Sequence, residues 1–309
     1  MEDVAITVRG MSKRFGFTQA VSKVDFTVTR GEIFGLAGPD GAGKTTIMRM
    51  IAGVLPPDEG EIVVDGVNVA VDPEIVKLRI SYMPQHFGLY DDLTVAENIY
   101  FYGELFAVPA SDRKARKRQL LLAAGMQPFE RRLAGQLSGG MKQKLGLICA
   151  LIHTPRILIL DEPTTGVDPV SRREFWSILY DLRENGVTIL LSTAYMDEAE
   201  RCSRLALLSA GQVRHCATPV ELKRAMPGVL LAIVSPDPRS VRAALTGRPG
   251  ILGMILMGDR IHVRVDDASR LDELRAYLSD SGFHPISLRV AEPGIEYVFV
   301  ALLGRENTA

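Results

Sequence analysis

Hydrophobic residues in the amino-terminal part of the chain follow two patterns in turn. Short apolar segments bounded by glycine, proline or aspartate are typical of strands, and longer segments rich in alanine, leucine, glutamate and arginine are typical of helices. Several short segments are apolar at every position, which indicates strands buried on both faces, as in a parallel sheet. The alternation of strands with helices predicts an α/β fold with a mostly parallel sheet.

These patterns place the elements along the chain. Strands are predicted at 4–8, 21–28, 33–37, 61–64, 80–83, 157–160, 187–191 and 204–209, with a hairpin partner at 211–213. Helices are predicted at 47–52, 137–151, 171–184 and 195–201. From Thr94 to about Ala134 the pattern is also helical, with breaks at Pro109 and Pro128. We therefore expect an inserted helical lobe at about 86–155, together with an antiparallel β subdomain.

The pattern restarts after Pro227-Gly228. Strands are predicted at 229–234, 251–257, 260–265 and 285–290, helices at 239–245 and 269–279, and a last short helix at 295–303. The order β-α-β-β-α-β is the ferredoxin-like one. Because 309 residues exceed a comfortable single domain, we expect two domains, at 1–226 and at 228–309, the second a small α+β domain.

The stretch from Gly38 to Thr46 carries the most specific chemistry. It fits G-x-x-x-x-G-K-[ST] and lies between a predicted strand and a predicted helix, which is the context this motif needs. Glycines let successive backbone N–H groups point at phosphate oxygens, and the helix N-terminus adds its free N–H groups. Lys44 can reach the β and γ phosphates, and the Thr45 hydroxyl can bind Mg²⁺. The predicted ligands of a nucleoside triphosphate here are Gly38, Asp40, Gly41, Ala42, Gly43, Lys44, Thr45 and Thr46.

Two acidic residues end the buried strand at 157–160. Asp161 can hold Mg²⁺, usually through water, opposite Thr45. Glu162 can polarise a water molecule for in-line attack on the γ phosphate. The Gln85 amide oxygen can reach the metal and sense the γ phosphate. We predict Glu162 and Gln85 as catalytic residues and Thr45, Gln85 and Asp161 as metal ligands.

A second anion site is predicted at the start of the helix that follows Leu137. A serine hydroxyl, two glycine N–H groups and a helix N-terminus are contributed by Ser138, Gly139, Gly140 and Met141. One triphosphate needs only one such cradle. A second cradle therefore suggests that this chain meets the nucleotide of another subunit, in a head-to-tail dimer with two shared sites.

Composition limits the function classes. The net charge of −1 gives no global basic field to draw the chain onto nucleic acid or anionic lipid. A basic run at 113–118 is interpreted as the solvated face of a helix, with a phosphate or lipid-headgroup contact as the alternative. The three cysteines have no metal spacing and suit a reducing cytoplasm. With no signal peptide and no apolar window of 18 residues, we expect the protein to be soluble by itself.

These motifs together resemble the ATP-binding subunit of an ABC transporter over residues 1 to about 225. The resemblance rests on Phe15, the loop at 38–46, Gln85, the signature at 137–141 and the segments 157–162 and 166–169. It implies MgATP binding, ATP-driven dimer closure and hydrolysis on reopening. It also implies that Phe15 stacks on adenine with Val21 beside it, and that Asp168 lies at the dimer seam. The lobe around 86–136 would contact helices of a membrane permease.

Other segments resemble the exporter branch whose permeases are of the ABC-2 type, which includes multidrug and antibiotic-resistance exporters. These segments are 86–98, 192–200 and 295–302. Members carry a carboxy-terminal extension like 228–309, associated with dimerisation or regulation. The resemblance implies ABC-2-type permease subunits and a second ATP-binding subunit as partners, identical or different. It also implies a place on the inner face of the cell membrane.

Two residues depart from the family pattern. The signature ends in Met141 where glutamine is usual, and we expect little effect. Ala194 stands where the family has its switch histidine, so nothing there can donate to the γ phosphate, unless a neighbouring residue substitutes. We expect the site on this chain to bind ATP and turn it over slowly. A regulatory nucleotide-binding subunit is the alternative. A non-transport ABC ATPase acting on ribosomes or DNA is less favoured. Such a protein is expected to have two cassettes in one chain, a long basic linker or a coiled-coil insertion, and none of these appears in the sequence.

Overall fold

The computed structural model describes residues 3–303, and within this part of the chain the helices and strands are as follows. The strands are β1 (Val4–Phe15), β2 (Thr18–Thr29), β3 (Ile33–Ala37), β4 (Glu59–Val64), β5 (Val67–Asn68), β6 (Ile80–Met83), β7 (Ile157–Asp161), β8 (Thr188–Thr193), β9 (Arg204–Ser209), β10 (Gln212–Ala217), β11 (Val229–Val234), β12 (Ile251–Met257), β13 (Arg260–Val265) and β14 (Ser287–Val290). The helices are α1 (Lys44–Ile51), α2 (Pro73–Arg79), α3 (Val95–Leu105), α4 (Ala110–Ala123), α5 (Gly139–Leu151), α6 (Pro169–Glu184), α7 (Met196–Ala199), α8 (Pro219–Ala225), α9 (Pro238–Leu245), α10 (Arg270–Asp280) and α11 (Ile295–Leu303). No helix between residues 3 and 303 is long and apolar enough to cross a membrane.

A six-stranded sheet in the order β10-β9-β3-β8-β7-β6 forms the centre of the first unit. Its strands are parallel except β10, which pairs antiparallel with β9 at the edge. The predicted mostly parallel sheet is therefore confirmed. The registers Ala37↔Thr193 and Asp161↔Ser192 bring the carboxyl ends of β3, β7 and β8 together, and ligands of open α/β sheets bind at this edge.

Alternate residues of the central strands enter two different cores. Ile157 and Ile159 pack with α1 and with a second, antiparallel sheet of order β2-β1-β4-β5. Leu158 and Leu160 pack on the other side, with α3, α5 and α6. Both faces of β7 are thus covered by apolar side chains, which explains why its sequence is apolar throughout. The second sheet is the predicted antiparallel β subdomain.

The predicted helical lobe consists of α3, α4 and the start of α5. At the start of α3, Thr94 and Glu97 form a capping box, in which each side chain accepts from the backbone N–H of the other residue. The chain leaves the helical conformation after Leu105 and resumes it after Pro109, as the proline break predicts. Apolar residues of α3, α4 and α5, such as Ile99, Leu121 and Ile148, share one core.

Tertiary contacts divide the chain between Thr218 and Pro219. The predicted domain boundary at 226–228 lies a little later and stays a prediction. In the second unit, a four-stranded sheet in the order β12-β13-β11-β14 has only antiparallel neighbours. With α9 and α10 packed on its core face, this is the β-α-β-β-α-β arrangement that the sequence predicts.

Candidate nucleotide-binding site

A cavity of about 610 Å³ opens at the carboxyl ends of β3, β7 and β8. This volume is in the range of small-molecule sites. Most of the predicted loop and acid residues line it. The lining residues are Ala20, Asp40, Gly41, Gly43, Lys44, Thr45, Thr46, Gln85, Glu162, Thr165, Ala194 and Tyr195. Gly38 and Ala42 are buried behind the loop instead.

The loop's last glycine has no room for a side chain. Gly43 has φ +99°, and a Cβ there would lie 2.6 Å from the Ala20 carbonyl oxygen and 3.4 Å from the Val21 side chain. Residues 20 and 21 thus pack against the loop at Gly43. Val21 is fully buried there, and Ala20 also lines the cavity. The predicted role of Val21 beside the adenine stays a prediction.

Lys44 begins α1 and is only 4% exposed. Its Nζ donates to the carbonyl oxygens of Gly38 at 2.8 Å and Pro39 at 3.0 Å. The same nitrogen lies 3.0 Å from Glu162 Oε1. A buried ammonium group needs an anionic or hydrogen-bonded partner, and here two loop carbonyls and one carboxylate supply it. The cation is therefore fixed at the floor of the phosphate loop.

Asp161 lies at the end of β7 and is buried, with three hydroxyl groups around it. Thr45 Oγ1 and Ser192 Oγ donate to Oδ1 at 3.0 and 2.7 Å, and the Tyr82 hydroxyl donates to Oδ2 at 3.3 Å. Burial raises the pKa of Tyr82 to about 12, and the charge of Asp161 adds to this, so the phenol remains a donor. Ser192 and Tyr82 both contact Asp161, and the sequence did not predict either of them as a site residue.

The donors around Asp161 fit Mg²⁺. This ion prefers oxygen ligands and is usually held by one or two carboxylates together with substrate phosphates. The Thr45 hydroxyl and the Asp161 carboxylate, 3.0 Å apart, offer that set. In residues 3–303 no group of three or more histidine, cysteine, aspartate or glutamate side chains could hold a metal by itself. A metal here would thus share its coordination with phosphate oxygens.

Glu162 follows directly and is held in a different way. Its backbone has φ +47°, a left-handed conformation that costs energy for a residue with a side chain. The backbone N–H donates to Ser192 Oγ at 2.9 Å. Its Oε2 accepts from Gln85 Nε2 at 3.1 Å and from Thr165 Oγ1 at 3.3 Å. The strained turn and these contacts aim the carboxylate into the cavity, beside Lys44.

The loop after β8 closes the cavity on a third side. Ala194 and Tyr195 both line it. Thr193 accepts from the Tyr195 backbone N–H at 2.9 Å and donates to Glu198 at 2.8 Å. The Arg172 guanidinium stands 4.3 Å from the centre of the Tyr195 ring. Position 194 therefore presents only a methyl group, and Tyr195 is the neighbouring side chain that shares the cavity.

Glu198 anchors this loop from inside the protein. It is 1% exposed and accepts from the hydroxyls of Thr193 and Thr164. Arg172 Nε lies 3.6 Å from its carboxylate. Glu198 thus ties the loop carrying Ala194 to the segment that leads to Asp168. No sequence motif predicted this role of Glu198.

Phe15 lies outside the cavity wall. It ends β1 at the hairpin to β2, is 50% exposed, and has the Lys13 ammonium 5.9 Å from its ring centre. An exposed ring in this position offers a face to a planar group. The predicted stacking on adenine stays a prediction.

The second predicted cradle also lies outside this cavity. Ser138 caps α5 by accepting from the Met141 N–H at 3.3 Å. Gly140 packs so closely on α6 that a Cβ would lie 2.4 Å from the Ser171 Cβ. Asp168 caps α6 by accepting from the N–H groups of Val170 and Ser171, both at 3.0 Å. Its hydrogen bonds from Ser171 hold the pKa of Asp168 below its usual value.

The start of α5 and the start of α6 therefore lie side by side. Ser138, Gly139 and Asp168 are exposed, and none of them lines the cavity formed by this chain's own loop. The structure thus separates the predicted nucleotide ligands into two groups. One group surrounds the phosphate loop, and the other faces outward from the helical lobe and its neighbour α6.

Comparison with known proteins gives a consistent result. The family model described as "ABC transporter" matches residues 21–165, a range that contains the phosphate loop, Gln85, the 138–141 segment and Asp161. The "Probable multidrug ABC transporter ATP-binding protein YbhF" of Escherichia coli (strain K12) is 40% identical over 313 residues, covering 100% of this chain and 54% of YbhF. The chain thus spans about half the length of this relative.

Two other relatives match along nearly their whole length. The "Daunorubicin resistance ATP-binding protein DrrA3" of Streptomyces coeruleorubidus is 35% identical, with 99% of this chain and 98% of DrrA3 covered. The "Nod factor export ATP-binding protein I" of Rhizobium leguminosarum bv. viciae is 37% identical, with 99% and 97% covered.

Solved structures agree with the fold. An ATP-binding subunit of an ABC transporter superposes with a TM-score of 0.65 at 29% identity, covering 71% of this chain and 92% of that one. A bacterial ABC transporter cassette solved as a dimer has a TM-score of 0.63 at 26% identity, with 69% and 98% covered. With the phosphate loop, the paired acids and the outward-facing signature in place, the chain belongs to the ABC transporter family as an ATP-binding subunit with the ABC-type ATPase fold.

Proposed function

We propose that this chain is the ATP-hydrolysing motor subunit of an ABC-2-type membrane exporter. The observation that carries the proposal is the cavity at the carboxyl ends of β3, β7 and β8, which Lys44, Thr45 and Glu162 line and behind which the buried Asp161 accepts from Thr45. Relatives named for multidrug transport, daunorubicin resistance and Nod factor export support an exporter.

In the proposed site, the loop N–H groups and Lys44 bind the triphosphate of ATP. Thr45 and Asp161 hold Mg²⁺, which when bound neutralises charge on the phosphates. Glu162 orients the attacking water and accepts its proton, with Gln85 and Thr165 holding the carboxylate in place. Lys44 pairs with this carboxylate at 3.0 Å, and we propose that it exchanges this partner for phosphate oxygens when ATP binds.

A second ATP-binding subunit completes the site in this proposal. The residues 138–141 of one subunit would contact the nucleotide on the loop of the other, with Asp168 at the seam. Support comes from the exposed α5 and α6 N-termini, which carry anion-binding groups but lie outside their own chain's cavity. The cassette solved as a dimer shows that a related fold pairs.

We further propose that the helical lobe at 86–155 docks on the helices of a separate permease. The described part of this chain has no helix that could span a membrane, and in this proposal the permease supplies the transport path. Attachment to the permease would place the chain on the inner face of the cell membrane. The transported substrate would be selected by the permease.

Two substitutions test the motor function. Lys44→Ala should abolish MgATP binding, because it removes the only cation fixed at the floor of the phosphate loop among the described residues. Glu162→Gln should preserve binding and reduce turnover by about 100-fold or more, the usual contribution of a general base. Labelled-nucleotide binding and phosphate release measure the two effects. Wild-type turnover in Glu162→Gln would contradict the proposal.

One observation favours a second candidate function, a regulatory subunit with slow turnover. The cavity wall at position 194 is a methyl group, which cannot donate to a γ phosphate. If the missing donor at position 194 limits hydrolysis, Ala194→His should raise ATP turnover, either in the chain alone or in its complex with the second subunit and the permease. Ala20→His is the matched control, because it adds the same side chain elsewhere on the cavity wall. No increase with Ala194→His in either setting would show that Ala194 does not limit the rate.

A further inference from the structure

A second cavity lies at the opposite edge of the central sheet, where the parallel strands begin. Its volume is about 670 Å³, a size typical of sites for small organic molecules. The segment 154–156, which precedes β7, and the segment 185–188, which ends at the first residue of β8, line it together with part of α4. The lining residues of this cavity and of the nucleotide cavity do not overlap.

Three guanidinium groups line this cavity, from Arg30, Arg116 and Arg156, and no carboxylate is among its described lining residues. Nearby acids neutralise only part of the charge. The buried Asp65 accepts from Arg30 at 2.6 Å and from Arg79 at 3.2 Å, and Arg156 lies 3.5 Å away. One carboxylate is thus shared by three guanidiniums, with Asp3 as a further partner of Arg30 at 2.9 Å.

Arg116 and Arg156 retain hydrogen-bonding capacity. Arg116 donates to the Ile152 carbonyl at 3.2 Å and lies 3.4 Å from Asp112. The side chain of Arg156 is 74% exposed and makes its ion-pair contact at 3.5 Å. A guanidinium has five N–H donors, so both can bind a further acceptor. Arg116 belongs to the basic run at 113–118, whose sequence left a solvated face and an anion contact open.

The remaining wall has an apolar part and a polar part, the polar part formed by Gln119, Thr154, Asn185 and Thr188. Leu120, Leu151 and Leu182 line the cavity on the side of α4, α5 and α6. They also line an adjoining cavity of about 120 Å³ that lies between these three helices. Two of the residues that line the smaller cavity are charged. They are Lys144, which is paired with Glu174, and Asp181, which belongs to α6. The arginine-bearing cavity therefore adjoins a smaller one whose lining includes four leucines, Leu120, Leu147, Leu151 and Leu182.

We propose that this cavity binds a small amphipathic anion. Its acidic group would meet Arg116 and Arg156, and its apolar body would lie against Leu120, Leu151 and Leu182. A fully polar anion would leave the leucines unmatched, and an uncharged apolar molecule would leave the guanidinium donors unused. An organic sulfonate or carboxylate with a hydrophobic body matches both parts of the wall.

The full-length protein can be tested with a pair of fluorescent probes. 8-Anilinonaphthalene-1-sulfonate has an apolar aromatic body and one anionic group, and N-phenyl-1-naphthylamine has the same body without the charge. The proposal predicts that one sulfonate probe binds per chain in the presence of saturating MgATP. The double substitution Arg116→Gln with Arg156→Gln should weaken the sulfonate about tenfold or more, as loss of charge-assisted bonds requires. Binding of the uncharged probe should change far less.

Arg9→Gln is the matched control, because Arg9 is an exposed arginine on β1 outside both cavities. Unchanged MgATP affinity of each variant shows that it is folded. Leu182→Glu should weaken both probes, since it places a carboxylate on the apolar wall. The proposal is overturned if the arginine variants bind the sulfonate as tightly as Arg9→Gln does. It is equally overturned if MgATP displaces the sulfonate, or if both probes lose affinity equally in the arginine variants.

Discussion

At the scale of single residues, the neighbouring acids Asp161 and Glu162 are prepared for different tasks. Asp161 sits in extended backbone at the end of β7, and three hydroxyls donate to it. Glu162 turns into a left-handed conformation and pairs with Lys44. The first arrangement suits a fixed ligand of a cation, and the second suits a carboxylate that can act on a water molecule.

The motif residues could be predicted because their spacing is fixed by backbone geometry. Lys44 follows the loop glycines at a set distance, and the acids end an apolar strand. Tyr195, Thr165 and Glu198 could not, because their roles depend on contacts between segments distant in sequence. Tyr195 has one signal in the sequence, since it follows Ala194, where a neighbouring residue is the alternative source of the missing histidine's function.

His153 gives a pH-dependent prediction at this scale. Its Nε2 donates to the Ile80 carbonyl at 3.2 Å, and its ring stacks on Phe106. Burial lowers the pKa of His153 below the ordinary 6.5. The unfolded chain therefore takes up the proton first, and stability should fall as the pH drops below about 6.5, by less than about 1.4 kcal/mol per pH unit because the half-buried ring is partly screened.

His153→Gln keeps an N–H donor and cannot titrate in this range. Urea unfolding at pH 7.5 and pH 5.5 should show a smaller loss of stability in this variant than in the wild type. An identical pH dependence in His153→Gln would contradict the assignment.

At the scale of elements, the buried strands were the most predictable features. The segments 33–37, 80–83 and 204–209 coincide with β3, β6 and β9, because burial on both faces requires an uninterrupted apolar run. Other boundaries were wrong. The first strand, predicted at 4–8, continues to Phe15 through register shifts around Gly10.

Two short helices and one short strand were missed. α2 begins at Pro73 after Asp72, which is a recognisable helix start, but it has only 7 residues, of which Val76 is the buried one. α8 also has 7 residues and begins at Pro219. β5 has 2 residues. Helices this short obtain their stability from tertiary packing rather than from intrinsic propensity, and seven residues are too few to establish a helical period.

The N-terminus of α5 provides a prediction at the element scale. Ser138→Ala removes a cap, which costs about 1 kcal/mol in typical helices. Thr94→Ala removes the matching cap of α3 and should cost a similar amount. Thermal unfolding should therefore report comparable losses for both variants.

Only Ser138→Ala should also weaken MgATP-dependent dimerisation, because we propose that Ser138 contacts the nucleotide of the other subunit. Analytical ultracentrifugation with and without MgATP separates the two effects. Equal dimerisation in both variants would mean that Ser138 is only a helix cap.

At the scale of the whole molecule, the chain consists of two units with separate cores. The first unit contains every residue that we assign to nucleotide binding. In the second unit the element order β-α-β-β-α-β predicted the sheet. Its strands lie in the order β12-β13-β11-β14, and each neighbouring pair is antiparallel. The pairing of two subunits was predicted from one extra anion cradle.

The central claim is that a working site combines the phosphate loop of one copy with the 138–141 segment of another. It is tested most directly by mixing two inactive variants. Lys44→Ala destroys the loop and keeps the signature, and Ser138→Arg does the reverse. Single-turnover hydrolysis of labelled MgATP should be negligible for each variant alone. An equal mixture should reach about a quarter of the wild-type rate, because half of the dimers pair unlike chains and each of these has one intact site of two. A mixture no more active than its separate components would contradict the composite site.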